Sequence, residues 1–298
     1  MNQLKLQPEN IDALQRATFD YFVHETNPLN GLVVDKTVEG APASIAAVGL
    51  ALSAYPIGVE RGFIKRADAI GRILTALRFF RDSAQSTDPD ATGYKGFYYH
   101  FLDMNTGKRV WKCELSTVDS AFLFAGMLAA AAYFTGDGAE EREIRALADE
   151  LYRRADWQWA QNGGATVTHG WKPESGFLPY RWEGYDEAMF LYILALGSPT
   201  FPSPAESYAA WTSTYEWRKV YDDEFLFAGP LFTHQISHIW IDFRGIQDEY
   251  RVRMARFHLD LDVKCQPSNR RTRCPRRNRL PPCMHASRPW RTQWLRST

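Results

Sequence analysis

Five carboxylates fall where loops run into helices. In WKCELSTVDSAFLFAG, Glu114 and Asp119 bracket the start of an apolar run; in YRWEGYDEAMFLYILALGSPT, Glu183 follows an aromatic-rich loop, and Asp186 and Glu187 are expected in the first turn of the next helix. Acids in a first turn are stabilised by the helix dipole, and Ser116 with Asp119 has the spacing of a capping arrangement. Taken singly, Asp119, Asp186 and Glu187 therefore read as caps more readily than as catalysts. Glu183 and Glu114 are different, because each precedes its helix in a setting of Trp and Tyr. Partial desolvation there raises a carboxyl's pKa toward the range useful to a general acid.

The aromatic residues around these acids lie in loops. Residues 94–111 hold Tyr98, His100 and Trp111 among seven rings, and Trp171, Tyr180, Trp182 and Tyr185 surround the second acidic cluster. Flat rings with polar edges suit pyranose faces, although half of such a set is ordinary core in most folds. A third cluster, FTHQISHIWIDFRGIQDEY, offers His234, Gln235, His238, Trp240 and Asp242. His234 and His238 are four apart and could share a helix face as metal ligands, but no HExxH pattern accompanies them. Hydrogen bonding to a ligand or to the core is the blander reading, and neither a metal nor another cofactor is expected.

These residues need a frame, and the apolar periodicity predicts one made of helices. Residues 8–24 and 65–82 carry apolar side chains three and four apart, as core-facing helices do, while 42–55 and 116–135 are apolar nearly all round. Residues 139–160 are amphipathic and heavily charged, and further helices are expected at 185–197, 204–217 and 231–242. GFYYHFLD at 96–103 and GKRVWKCEL at 107–115 flank a turn as a hairpin would, and a second pair is expected near 163–180. Buried helices alternating with surface ones suit a toroid whose inner helices enclose a cavity and whose loops form the rim. An irregular helical bundle is the alternative.

The composition fits such a frame and excludes others. At 298 residues, 45% hydrophobic and 14% aromatic, the chain has ample material for a core. The longest apolar run, Ala121–Phe134, is shorter than the roughly 18 or more residues a membrane-crossing helix needs. The first twenty residues lack a secretory signal's apolar stretch, which makes the chain cytoplasmic as written, or periplasmic if an export signal is missing. The 35 basic and 35 acidic residues are unevenly placed. Residues 251–298 hold twelve arginines and Lys264 against Asp260 and Asp262, an excess of eleven positive charges that residues 1–250 balance. Cys265, Cys274 and Cys283 also fall there, leaving Cys113 alone in the body, so no disulfide framework supports it. The basic segment has no periodicity and many prolines, the composition of a disordered tail. A nucleic-acid arm is the less favoured reading of it, and a non-native end or shifted frame the more favoured; nucleic acid is not an expected partner.

The phrases NGLVVDKT, ASIAAVGLALSAYPIGVERG, GFYYHFLDMNTGKRVWKCELSTVD, RWEGYDEAMFLYILALGSPT and GPLFTHQISHIWIDFRGIQDEY resemble the bacterial glycoamylase-like family, which includes endo-β-1,2-glucanases and a domain of cyclic β-1,2-glucan synthases. The resemblance covers roughly residues 8–250. It implies an all-α fold, an (α/α)6 toroid with short hairpins in its rim loops, and glycoside hydrolysis or transfer on glucose polymers. It places Glu183, Glu114 and Asp119 in the family's cleft-facing acidic segments and Asp35 at a polar rim position. Family members continue with further helices past Tyr250, so the toroid is expected to be incomplete, residues 1–250 forming a partial domain.

The expected reaction is inverting hydrolysis of a glucose polymer, with β-1,2-glucan first among substrates. One carboxylic acid protonates the glycosidic oxygen and a carboxylate roughly 6.5–9.5 Å away activates water. Glu183 is the first choice for acid, and Glu114 or Asp119 for base. Asp35, Tyr98, His100, Trp111, Trp182, Tyr185, Asp186, Glu187, His234 and Gln235 are expected to contact the saccharide. A catalytically silent glucan-binding remnant is the alternative, and a toroid acting on lipids or isoprenoids is disfavoured by the acidic clusters.

Overall fold

A computed structural model describes residues 8–220 and 223–243. The expected boundary at residue 250, the basic segment and its three cysteines lie outside the described residues. Among those described, two compact units separate: residues up to 183 with 188–213, and residues 184–187 with those from 214 onward.

The first unit is mostly helical. Helix α1 (Pro8–His24) leads to a two-residue strand, β1 (Ala43–Ser44), which runs straight into α2 (Ile45–Glu60). Helix α3 (Arg66–Asp82) returns, and short strands β2 (Gly93–Tyr94), β3 (Phe97–Tyr99), β4 (Phe101–Leu102) and β5 (Leu115–Ser116) precede α4 (Thr117–Tyr133). Then come α5 (Ala139–Arg153), α6 (Trp157–Ala160), β6 (Gly170–Lys172), β7 (Gly176–Phe177), α7 (Met189–Leu196) and α8 (Glu206–Thr212). Helices α2 and α4 are the buried pair the sequence predicts. Their backbones touch: a Cβ added to Gly126 would stand 2.0 Å from the Gly49 carbonyl oxygen, and one added to Gly49 would stand 2.2 Å from that of Phe122. Only glycine allows two helices this close. The amphipathic α3 and α5 pack on one another, α3 also against α2 and α5 against α4, which gives the alternation of buried and surface helices read from the periodicity.

The strands organise the rim. Five form one sheet in the order β2-β3-β5-β6-β7, all antiparallel, and β1 pairs with β4. The hairpin expected from 96–103 and 107–115 forms, interrupted by the turn at residues 110–113. Leu102 bridges Arg109 and Val110 N–H donates to the Phe101 carbonyl before that turn, Tyr98 and Tyr99 pair with β5 after it, and Phe101 and Leu102 also pair with β1. The expected pair near 163–180 does form, as β6 and β7.

Three helical expectations are corrected. Residues 139–160 break at Ala155, where Asp156 caps α6 by accepting the Trp159 N–H at 2.9 Å. Helix α7 begins only at Met189, so Asp186 and Glu187 precede it and are not first-turn acids. In the second unit, residues 231–242 form two single 3₁₀ turns, Leu231–His234 and Ile236–Ile239, after a hairpin of β8 (Trp217–Val220) and β9 (Asp223–Leu226). Thr, His and three isoleucines in that run are weak helix formers. No described helix is long and apolar enough to cross a membrane.

Candidate functional site

One extended segment, residues 97–102, passes both buried helices at their starts. Its middle residue, His100, lies between the two pairings: its N–H donates to the Glu114 carbonyl at 3.0 Å, and its carbonyl accepts the N–H of Ile45, the first residue of α2, at 3.2 Å. The backbone thus fixes a histidine where β5 turns into α4. Its ring stacks on Phe101 at 3.8 Å, and Nδ1 contacts Glu114 Oε1 at 3.0 Å and Asp119 Oδ2 at 3.6 Å. Ser116 completes the arrangement, its Oγ accepting the Asp119 N–H at 3.2 Å and donating to Asp119 Oδ2 at 2.5 Å. The capping reading of Ser116 and Asp119 is correct, and the same carboxylate also faces His100.

Three charges are tuned against each other here. Burial pushes His100 toward the neutral form, but the hydrogen bond that Nδ1–H donates to Glu114 and the charges of Asp119, Glu114 and Asp35 outweigh it and hold the imidazole above its ordinary pKa. Burial pushes Glu114 up, yet His100 holds it below the usual value. The expectation that Glu114 is raised is thus corrected: a cationic neighbour decides. Burial dominates at Asp119, whose carboxyl stands above the usual aspartate range despite His100 and Ser116.

Trp182 ties the segment ahead of Glu183 to the same helix start. Its indole N–H donates to Thr117 Oγ1, at the first residue of α4, at 3.0 Å, and its ring stacks on His169 at 3.8 Å. Burial lowers the pKa of His169, which also feels the charge of Glu114. Glu183 itself is exposed and accepts a hydrogen bond from Thr166 Oγ1 at 2.8 Å, so the expected desolvation of this acid is not found.

The other expected saccharide contacts divide. Tyr98 is 0% exposed, packed edge-on against Phe80 and donating to the Phe80 carbonyl, so it is core and not a contact residue. Trp111 is 66% exposed. Within the second unit, Tyr185 lies against His234 and Tyr215; His234 is buried, Gln235 and His238 exposed. His234 and His238 sit on separate 3₁₀ turns and share no helix face, contrary to the metal-ligand geometry considered for them. His169 and Thr166 were not legible as site residues. A histidine in a hairpin, at no regular spacing from the acids, carries no sequence signal of the tryptophan it will stack on.

A family profile described as "Putative glucoamylase" matches residues 179–263. A structure carrying that same description, from Bacteroides uniformis, is 30% identical and superposes with a TM-score of 0.75, covering 83% of this chain and 63% of its own. The endo-β-1,2-glucanase of Chitinophaga pinensis, solved with sophorotriose and glucose, is 25% identical with a TM-score of 0.73, covering 82% and 63%. An exo β-1,2-glucooligosaccharide sophorohydrolase of Parabacteroides distasonis is 27% identical over 275 residues, 80% of this chain and 37% of the relative. In sequence and in fold these matches liken the chain to the bacterial glycoamylase-like family. The chain spans less than two thirds of the length of each of these relatives.

Proposed function

We propose that the chain is a glycoside hydrolase module acting on β-1,2-glucan by inverting general acid/base catalysis, its helices being part of an (α/α)6 toroid. The observation that carries this reading is the Glu114–His100–Asp119 cluster at the start of α4. Two oxygens held by one imidazole nitrogen stand no wider apart than the lower end of the roughly 6.5–9.5 Å an inverting pair requires. Glu114 and Asp119 therefore act on one side of the substrate, and the proton donor is a third carboxyl. Glu183 is our assignment: it is accessible, and the adjacent Trp182 is bonded to the helix that carries Asp119. Glu114, whose ionised form His100 favours, takes a proton from water as the base; the charges of Asp119 and Asp35 favour the protonated imidazole. The alternation of buried α2 and α4 with outer α3 and α5 supports the toroid, and the printed activities of the Chitinophaga and Parabacteroides relatives support the β-1,2 linkage. Assay of reducing ends released from β-1,2-, β-1,3-, β-1,4- and α-linked glucans tests this. Turnover confined to the β-1,2 polymer is expected; turnover of another linkage alone would overturn the substrate.

A further inference from the structure

Four residues before the catalytic cluster the chain makes an unusual turn. Cys113 N–H bonds to the Val110 carbonyl at 3.0 Å, closing a turn whose two central residues, Trp111 and Lys112, have φ of 56° and 49°. Left-handed backbone at both central positions ordinarily calls for Asn-Gly or Asp-Gly, and a tryptophan followed by a lysine is strained there. Such strain persists only when the surroundings impose it, and it concentrates at ligand clamps.

The surroundings here are specific. Arg109, its side chain 2% exposed, donates through Nε to the Cys113 carbonyl at 2.6 Å. Its two terminal nitrogens grip Glu174 at 2.8 and 3.1 Å, and its guanidinium lies 4.7 Å from the centre of the Tyr99 ring. A buried arginine thus fastens the far side of the turn. What the turn presents is the Trp111 indole, two-thirds exposed, at the wall of a cleft of about 160 Å³ bounded also by Gly40, Ala41, Pro42, Asp103 and Asn105. Asp103 is held ionised there, its Oδ1 accepting from Thr106 N–H, Thr106 Oγ1 and Asn105 N–H. The volume equals roughly five waters, on the scale of one sugar ring.

The cleft adjoins the acid cluster by two routes. Trp111 lies 5.3 Å from the Phe101 ring, which stacks on His100, and the Pro42 carbonyl accepts the N–H of Asp35 at 2.8 Å. We propose that this cleft is a saccharide subsite in which Trp111 stacks on the face of one glucosyl ring, Asp103 accepts from its hydroxyls, and Arg109 with Glu174 positions the platform. An aromatic plane beside a carboxylate matches a pyranose, which offers C–H groups on its face and hydroxyls at its edge. The proposal rests on the glucan-hydrolase reading and adds to it a preference for longer chains.

Calorimetric titration of the chain, Trp111→Ala, Trp111→Phe and Glu174→Gln with β-1,2-glucooligosaccharides of two to six units tests it. Because Trp111 is exposed, its replacement leaves the fold intact, which a melting curve verifies. Trp111→Ala is expected to weaken the longer oligosaccharides about tenfold and leave the disaccharide unchanged. Trp111→Phe should recover most of the loss, and Glu174→Gln should show a smaller loss with the same length dependence. Unchanged affinities at every length, or equal weakening at every length, would overturn the subsite while leaving the hydrolase reading in place. If the unsubstituted chain bound none of these oligosaccharides, both would fall.

Discussion

Helices α2 and α4 begin alike and are equipped differently. Each is entered from a two-residue strand, each has a buried serine as N-cap, and each then runs apolar on all sides into the same glycine contact. At α2 the third helical residue is Ala47, whose N–H reaches Ser44 Oγ at a loose 3.4 Å, and the first turn carries no acid. At α4 the same position is Asp119, two residues before the cap stands Glu114, and His100 faces both acids, 3.0 Å from Glu114 and 3.6 Å from Asp119. A helix of this kind can thus start without a carboxylate. The acids at α4 exceed what capping needs, and the burial that raises Asp119 is a cost that capping alone does not justify.

Removing the chemistry from α4 without disturbing its cap breaks the comparison most sharply. Glu114→Gln is expected to cut β-1,2-glucan hydrolysis by at least ~100-fold with little change in melting temperature, because the amide keeps the size of the side chain and one hydrogen bond to His100. Assay and thermal melt on the same sample check both halves. The next effect in size strikes both helices equally. Gly126→Ala puts a methyl against the Gly49 carbonyl and should cost about 3 kcal/mol, measured by denaturant unfolding.

The caps give smaller and unequal effects. Ser116→Ala should cost ~1 kcal/mol or somewhat more, since its hydroxyl both accepts and donates, and Ser44→Ala about half as much, since its single contact is long. Equal costs at the two sites would mean that Asp119 adds nothing to its helix start.

The smallest expected effect is electrostatic. His100 is raised above its ordinary 6.5, so its contribution to stability is complete below that pH and is lost as pH rises through the raised value. Glu114 is lowered, so its contribution is complete above 4.5 and is lost as pH falls through the lowered value. Both are present between the two. Melting temperature should therefore decline from pH 6 to pH 9 less steeply in His100→Gln than in the unsubstituted chain; an identical decline would remove His100 from the ion network.

How much of this was legible in the sequence follows from the range over which each signal acts. The helices show through because burial imposes a local period, and Ser116 with Asp119 reads as a cap because capping is decided within four residues. The pairing of Phe101 and Leu102 with β1 does not show, since that strand lies far upstream at Ala43–Ser44, before α2 and α3. The acids were found by type and setting. The lowering of Glu114 does not show, because it is imposed by His100 from 14 residues upstream and not by the nearby aromatic residues. Tyr98 carries the same lesson: ring type alone does not distinguish a platform from core, whereas the strained turn under Trp111 does.

In the proposed mechanism Glu183 donates the proton to the glycosidic oxygen. The most direct test of this step is the rate of Glu183→Gln on β-1,2-glucan compared with its rate on an aryl β-sophoroside, whose leaving group departs without a proton. A loss of at least ~100-fold is expected on the glucan, with a far smaller loss on the aryl glycoside. Equal losses on the two substrates, or near-normal hydrolysis of the glucan, would contradict this step.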